Sequence, residues 1–193
     1  MNALKIKHKE FEIVEIISNN IWKCSFKNKL YIISKLDNKD VNYKETLFMF
    51  NKLKNSGVNQ PKLICVDKKQ GYIVREFIDG LNMFDYILDS DFDENIYKQI
   101  FLNSYYARVA GLNLDFNLKA WTLAGDKLYY TSLFSEKYDP KMDFTKKMVR
   151  LWFLSDELAN YYKKSGVLLD NSRIKDENTV NKEMVLMTCK YYI

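Results

Sequence analysis

Between Phe11 and Leu36 the apolar positions come in short, partly alternating runs. These are Phe11-Glu12-Ile13-Val14-Glu15-Ile16-Ile17, Ile21-Trp22-Lys23-Cys24-Ser25-Phe26 and Leu30-Tyr31-Ile32-Ile33-Ser34-Lys35-Leu36. Their β-branched and aromatic content predicts three antiparallel strands, joined by turns at Ser18-Asn19-Asn20 and Lys27-Asn28-Lys29. The period then lengthens. Leu47, Phe48, Phe50 and Leu53 predict a helix that ends near Asn55-Ser56-Gly57, with Gly57 suited to a left-handed cap. Pro61 forces the chain back to extended geometry. Lys62–Asp67 reads as a fourth strand, Lys68-Lys69-Gln70-Gly71 as a turn, and Tyr72–Phe77 as a fifth strand.

After Gly80 the pattern is helical. Met83–Leu88 predicts a short helix. A longer one carries Ile96, Ile100, Phe101 and Val109, is capped by Asp91 or Asp93, and ends near Gly111. Trp121-Thr122-Leu123 and Leu128-Tyr129-Tyr130 flank Ala124-Gly125-Asp126-Lys127, a hairpin signal. Phe144–Leu154 has Met148, Leu151 and Trp152 on one helical face, Ser155 is placed to cap a further segment running to Gly166, and Val180, Met184 and Met187 predict a terminal helix.

Composition narrows the classes. With 193 residues, 47% of them hydrophobic, the chain is long enough to bury a core as one domain or two small lobes. No apolar run is long enough to span a membrane and Met1–Lys9 lacks a signal-peptide block, so the expected location is the cytoplasm. Cys24, Cys65 and Cys189 are odd in number and far apart, and His8 is the single histidine. That spacing argues against a disulfide frame, a structural zinc site and histidine catalysis. The net charge is +5, yet only Arg75, Arg108, Arg150 and Arg173 are arginines. Lysine interleaved with acids points to a solvated surface more than to a nucleic-acid reader. The tyrosine pairs Tyr105-Tyr106, Tyr129-Tyr130, Tyr161-Tyr162 and Tyr191-Tyr192 read as amphipathic packing rather than base stacking.

A five-stranded sheet with one helix between its third and fourth strands, followed by a junction and a mostly helical part, resembles the protein kinase-like superfamily. Within it, the small aminoglycoside-phosphotransferase and RIO-like kinases are the nearest in kind. Lys35 closes Tyr31-Ile32-Ile33-Ser34-Lys35 where that family holds nucleotide phosphates with a lysine, and Glu45 stands early in the next helix, where the family pairs this lysine. Arg75-Glu76-Phe77-Ile78-Asp79-Gly80 resembles the family's hinge. Leu112-Asn113-Leu114-Asp115 and the hairpin after it resemble the catalytic loop and the strands leading to the metal-binding aspartate. The resemblance implies an α+β, bilobal kinase-like fold: an N-lobe at residues 1–80 ending in a hinge at 75–80, and a reduced helical C-lobe at 81–193 with a catalytic-loop-like hairpin at 112–132. It also implies ATP as cofactor, nucleotide contacts at Lys35, Glu45, Glu76, Phe77 and Ile78, and Asp115 as base.

The departures are equally specific. No glycine precedes Gly57, so Ser18-Asn19-Asn20 stands where kinases place glycines over the phosphates. Five residues beyond Asp115, where the family's metal-binding asparagine belongs, is Ala120, and Thr131-Ser132 occupies the place of the metal-binding aspartate. Hydroxyls are poor substitutes for a carboxylate on a hard cation such as Mg2+. Losing ~3 kcal/mol of transition-state stabilisation there would slow transfer more than a hundredfold. Asp126 and Glu136 are the carboxylates close enough in sequence to compensate. The leading expectation is therefore a degenerate, pseudokinase-like protein that binds nucleotide, acts by binding or regulation together with a protein partner, and has impaired or absent phosphotransfer. The rivals are an active phosphotransferase and a lysine-rich RNA-binding protein.

Overall fold

The computed structural model describes residues 2–36 and 43–192, which fall into two compact units. One comprises residues 1–48 and 60–79, the other residues 49–59 and 80–193. The class is α+β, with an antiparallel N-terminal sheet and a helical C-terminal part. No described helix is long and apolar enough to cross a membrane.

The first unit is a six-stranded antiparallel sheet in the order β1-β2-β3-β4-β6-β5. Its strands are β1 (Ala3–Ile6), β2 (Lys9–Ser18), β3 (Ile21–Phe26), β4 (Lys29–Lys35), β5 (Leu63–Asp67) and β6 (Tyr72–Glu76). Helix α1 (Tyr43–Ser56) lies between β4 and β5 in the chain and ends at Gly57, whose φ of 105° suits the left-handed cap expected of it. The succession of three strands, helix and two strands is thus present as the resemblance implies, with one strand more. The addition is β1, whose Leu4 and Ile6 are buried beside Phe11, Cys24, Ile33 and Val74. It is joined to β2 by the two-residue turn Lys7-His8, in which Lys7 takes a φ of 55°. That turn carries none of the usual Gly or Asn signals.

The two edge strands of the sheet meet through one carboxylate. Asp67, at the end of β5, accepts the N–H of Lys7 (3.2 Å) beyond β1, and those of Lys69 (3.0 Å) and Gln70 (3.1 Å) in its own turn. The Gln70 amide, with those of Lys7 and Lys69 and the Lys7 charge, holds its carboxyl below the usual range against the opposing effect of burial. A depressed carboxylate contributes stability above its unfolded pKa, and that contribution is lost as pH falls through the folded value. Asp67→Asn should therefore lower the melting temperature at pH 7 and leave less further loss below about pH 4; thermal melts of both proteins across that range test it.

The second unit packs α2 (Met83–Asp89), α3 (Glu94–Val109), α4 (Phe144–Lys147), α5 (Asp156–Lys164) and α6 (Glu177–Tyr191) around an aromatic core. Trp121, Trp152, Tyr130, Tyr162, Phe101, Phe144 and Phe153 are among its fully buried side chains. Asp93, Ser155 and Asp176 cap α3, α5 and α6 through N–H groups of the first turn. The expected hairpin is β9 (Trp121–Ala124) with β10 (Lys127–Tyr130), and β7 (Leu81–Asn82) adds to β9. Gly80 sits so close to β9 that a Cβ there would lie 2.3 Å from the Leu123 carbonyl oxygen. The expected continuous helix over Phe144–Leu154 is instead α4 followed by a 3-10 turn at Val149–Trp152. Tertiary bonding overrides the periodicity there, because the Trp152 indole N–H reaches the Phe116 carbonyl (2.9 Å).

Candidate functional site

In the sheet unit, Lys35 ends β4, is exposed, and lies opposite Tyr72 of β6. Its N–H donates to the Asn20 carbonyl (2.8 Å), so the turn standing in the place of the family's glycine loop is tied directly to the lysine. Neither Asn19 nor Asn20 takes left-handed geometry in that turn. The left-handed non-glycine residues described are Lys7, Lys27 and Asn28, and a register irregularity between Ile16 and Ser18 shapes the end of β2 instead. Glu45 is exposed in the first turn of α1. Among the described residues, no ion pair joins Lys35 to Glu45.

Glu76 closes β6. Its N–H donates to the Lys62 carbonyl (2.9 Å), while its carboxylate accepts the Lys62 N–H (3.3 Å). The Phe77 N–H donates to Leu30 (3.3 Å), and the Lys23 ammonium lies 4.1 Å from the Phe77 ring centre. Among the described residues of this unit, no hydrogen bond engages the Phe77 carbonyl or the Ile78 N–H.

In the helical unit, β8 (Leu112–Leu114) delivers Asp115, whose side chain is exposed while its backbone is held from several sides. The Asp115 N–H donates to the Tyr130 hydroxyl (3.1 Å), its carbonyl accepts the Trp121 indole N–H (2.9 Å), and its Oδ1 accepts the Asn117 N–H (2.9 Å). Tyr130 in turn donates to the Phe134 carbonyl. The next carbonyl along, that of Phe116, takes Trp152, and the Tyr161 hydroxyl donates to the Asn117 side chain (2.6 Å). Burial, joined by the Asp115 charge, pushes the Tyr161 phenol up, so it remains a donor at neutral pH. Asp115 therefore both caps its turn and presents a carboxylate.

The positions expected to bind metal are gathered around this loop but carry the wrong chemistry. Ala120 is buried, and its carbonyl accepts both the N–H (2.8 Å) and the hydroxyl (3.1 Å) of Thr131. The Ser132 hydroxyl accepts the Phe134 N–H (3.1 Å). Both hydroxyls are committed to backbone turns. Asp126 lies in the tight turn of the hairpin, roughly 13 Å along β10 from Tyr130, and its carbonyl is fixed by Asn95 and Gln99 of α3. Glu136 is exposed on β11 (Ser135–Lys137), opposite Asn113 of β8. Among the described residues no group of three His, Cys, Asp or Glu is placed to hold a metal ion. The residues present do not fit a magnesium site of the kinase kind.

No protein-family model matches the sequence. A search of curated proteins finds no match. Among solved structures the chain is similar to the choline kinase LicA from Streptococcus pneumoniae. The likeness covers 94% of this chain and 84% of that one, at 16% identity and a TM-score of 0.48. Identity and overlap at that level carry nothing about chemistry, which rests on the residues themselves.

Sequence reasoning singled out Asp115 but missed the groups that hold it. Trp121, Tyr130, Trp152 and Tyr161 read as packing residues, and they do pack: the Trp121–Tyr130 and Trp121–Trp152 ring centres lie 4.9 and 5.9 Å apart. The available signal was that a buried indole or phenol needs a partner for its polar atom. Three such residues so near a candidate loop pointed to its backbone.

Proposed function

We propose that this chain is a kinase-like protein that binds a nucleotide and has impaired or absent phosphotransfer, acting through binding or regulation. Lys35 would hold the phosphates, Glu45 would be the partner that orients it, and the backbone of Phe77 and Ile78, at the end of the strand closed by Glu76, would meet the base. The observation that carries the reading is the engagement of the Thr131 and Ser132 hydroxyls by backbone groups beside buried Ala120. No carboxylate or amide stands at either position, so phosphate charge would go without the neutralisation that transfer requires.

Thermal melting with ATP, with and without magnesium, tests it in wild type, Lys35→Ala and Asp115→Ala. Ligand at about 100 times its Kd stabilises by about 2.7 kcal/mol, which is a shift of several degrees for a protein of this size. The shift is expected without metal, absent in Lys35→Ala and retained in Asp115→Ala. A second reading, an active phosphotransferase, is favoured by the exposed, firmly held Asp115 carboxylate. Magnesium-dependent transfer at an ordinary kinase rate, abolished by Asp115→Ala, would establish it and overturn the first.

A further inference from the structure

Composition by itself disfavours a nucleic-acid partner, but the fold redistributes the charge. Residues 1–48 and 60–79 hold most of the excess of lysine and arginine over aspartate and glutamate. Within this sheet unit, the Lys7-His8 turn adjoins two others that are distant in sequence. The Lys7-His8 turn and the Lys68-Lys69-Gln70 turn are pinned together by Asp67, which accepts an N–H from Lys7 and two from the other turn. The first is also joined to the Lys27-Asn28 turn through the Phe26 ring, with the Lys9 ammonium 5.6 Å and the Lys27 ammonium 5.7 Å from its centre. Lys7, Lys9, Lys27, Lys29, Lys68 and Lys69 are all exposed.

The nearby acids are fewer than the lysines: Asp67, whose charge acts on Lys7; Glu10, opposite Lys5; and Glu12, which accepts the Ser25 hydroxyl. The Lys27-Asn28 turn is tight, with φ of 51° and 59°, the paired left-handed geometry of a two-residue hairpin. The lysines thus stand on hydrogen-bonded turns between strands.

We infer that these lysine-bearing turns form a binding surface for the phosphate backbone of single-stranded RNA, whose Lys68-Lys69 edge adjoins Lys35, since the Leu36 N–H donates to the Gly71 carbonyl (2.9 Å). Lysine is a point charge without the planar fork that reads base edges, so the surface recognises phosphates and is indifferent to sequence. A flexible single strand can follow three adjoining turns. A bilayer surface fits less well, because membrane binding of a basic patch gains from apolar side chains beside the charges. The exposed Val14, Ile16 and Ile17 lie on the other half of β2, roughly 17 Å or more from Lys9; nearer the lysines are single apolar side chains, Leu30 (38% exposed) beside Lys29 and Ile64 (44%) three residues before Asp67.

The test is fluorescence anisotropy with a labelled single-stranded RNA of about 20 nucleotides, on the full chain. Four or five neutralised phosphates give a log–log salt slope near −3, or a loss of about 60-fold in affinity between about 50 and 200 mM salt. Lys27→Glu/Lys68→Glu/Lys69→Glu should lose at least about tenfold in affinity and flatten the slope. Lys163→Glu/Lys164→Glu, on exposed positions of α5, should stay within about twofold of wild type. Circular dichroism and melting confirm that both variants are folded. Equal losses in the two variants, salt-independent binding, or tighter binding to phosphatidylserine vesicles than to RNA would each overturn the inference. A surviving surface with no ATP shift would sink the nucleotide reading alone.

Discussion

Replacing Asp143 with alanine is expected to destabilise the helical unit by about 3 kcal/mol. This buried carboxylate caps α4 through the Thr145 N–H (3.1 Å) and hydroxyl (2.8 Å), and accepts the hydroxyls of Tyr138 (3.0 Å) and Tyr192 (2.6 Å). Loss of an N-cap costs about 1 kcal/mol. Each phenol left without an acceptor adds about 1 kcal/mol, taken at the low end of the range because both are only half buried. Tyr192 follows α6 and also packs on Arg108, 4.6 Å from its ring centre, so the cluster fastens that helix to the body of the unit. Burial pushes the Asp143 carboxyl up, but the hydrogen bonds from Tyr192, Thr145 and Tyr138 prevail and hold it below the usual range. Its contribution is thus fully present above the unfolded pKa near 4 and disappears as pH falls through the lower folded value. Urea unfolding at pH 7 and pH 3 should show a smaller acid loss in Asp143→Asn than in wild type. A double-mutant cycle with Tyr192→Phe should return a coupling energy of about 1 kcal/mol. Additive effects would mean that α6 is held by its apolar face alone.

Most of the fold was legible because its signals were local. The shift from period-two runs to helical spacing at Leu47, the left-handed stop at Gly57, and caps such as Asp93 and Ser155 act within a few residues of where they are read. What escaped depended on partners far along the chain. β1 is four residues long, and its strand character comes from pairing with β2 and burying Leu4 and Ile6. The segment after Phe144 has helical periodicity, yet the reach of Trp152 to Phe116 splits it. The candidate site divides the same way. Asp115 was visible from its place between a short strand and a hairpin, whereas the indole of Trp152 and the hydroxyl of Tyr130 arrive from 36 and 15 residues away from the carbonyl and amide they hold. The basic surface was hidden for the same reason, since Lys7 and Asp67 are 60 residues apart. Scattered lysines become a patch only after the sheet has curled.

Trp121 is where packing and the candidate site coincide, so its substitution is expected to have the other large effect. Fully buried, it contacts Phe116, Tyr130 and Trp152 by its rings and holds the Asp115 carbonyl by its indole N–H (2.9 Å). Trp121→Ala opens a cavity in this aromatic cluster and should cost about 3–5 kcal/mol, a large share of the stability of a chain this size. Trp121→Phe separates the two roles. It keeps most of the ring contacts but leaves the Asp115 carbonyl without its donor, at about 1–2 kcal/mol. Hydrogen exchange should then quicken at Phe116 and Asn117 more than in α3 or α5. If Asp115 performs any chemistry, the phenylalanine variant should lose activity out of proportion to its small fall in melting temperature, because the carboxylate would no longer be held in one position. If exchange rises uniformly across the unit instead, the indole hydrogen bond only supports the core and the loop needs no brace. Either result is independent of any ligand, since the bond lies wholly within the chain.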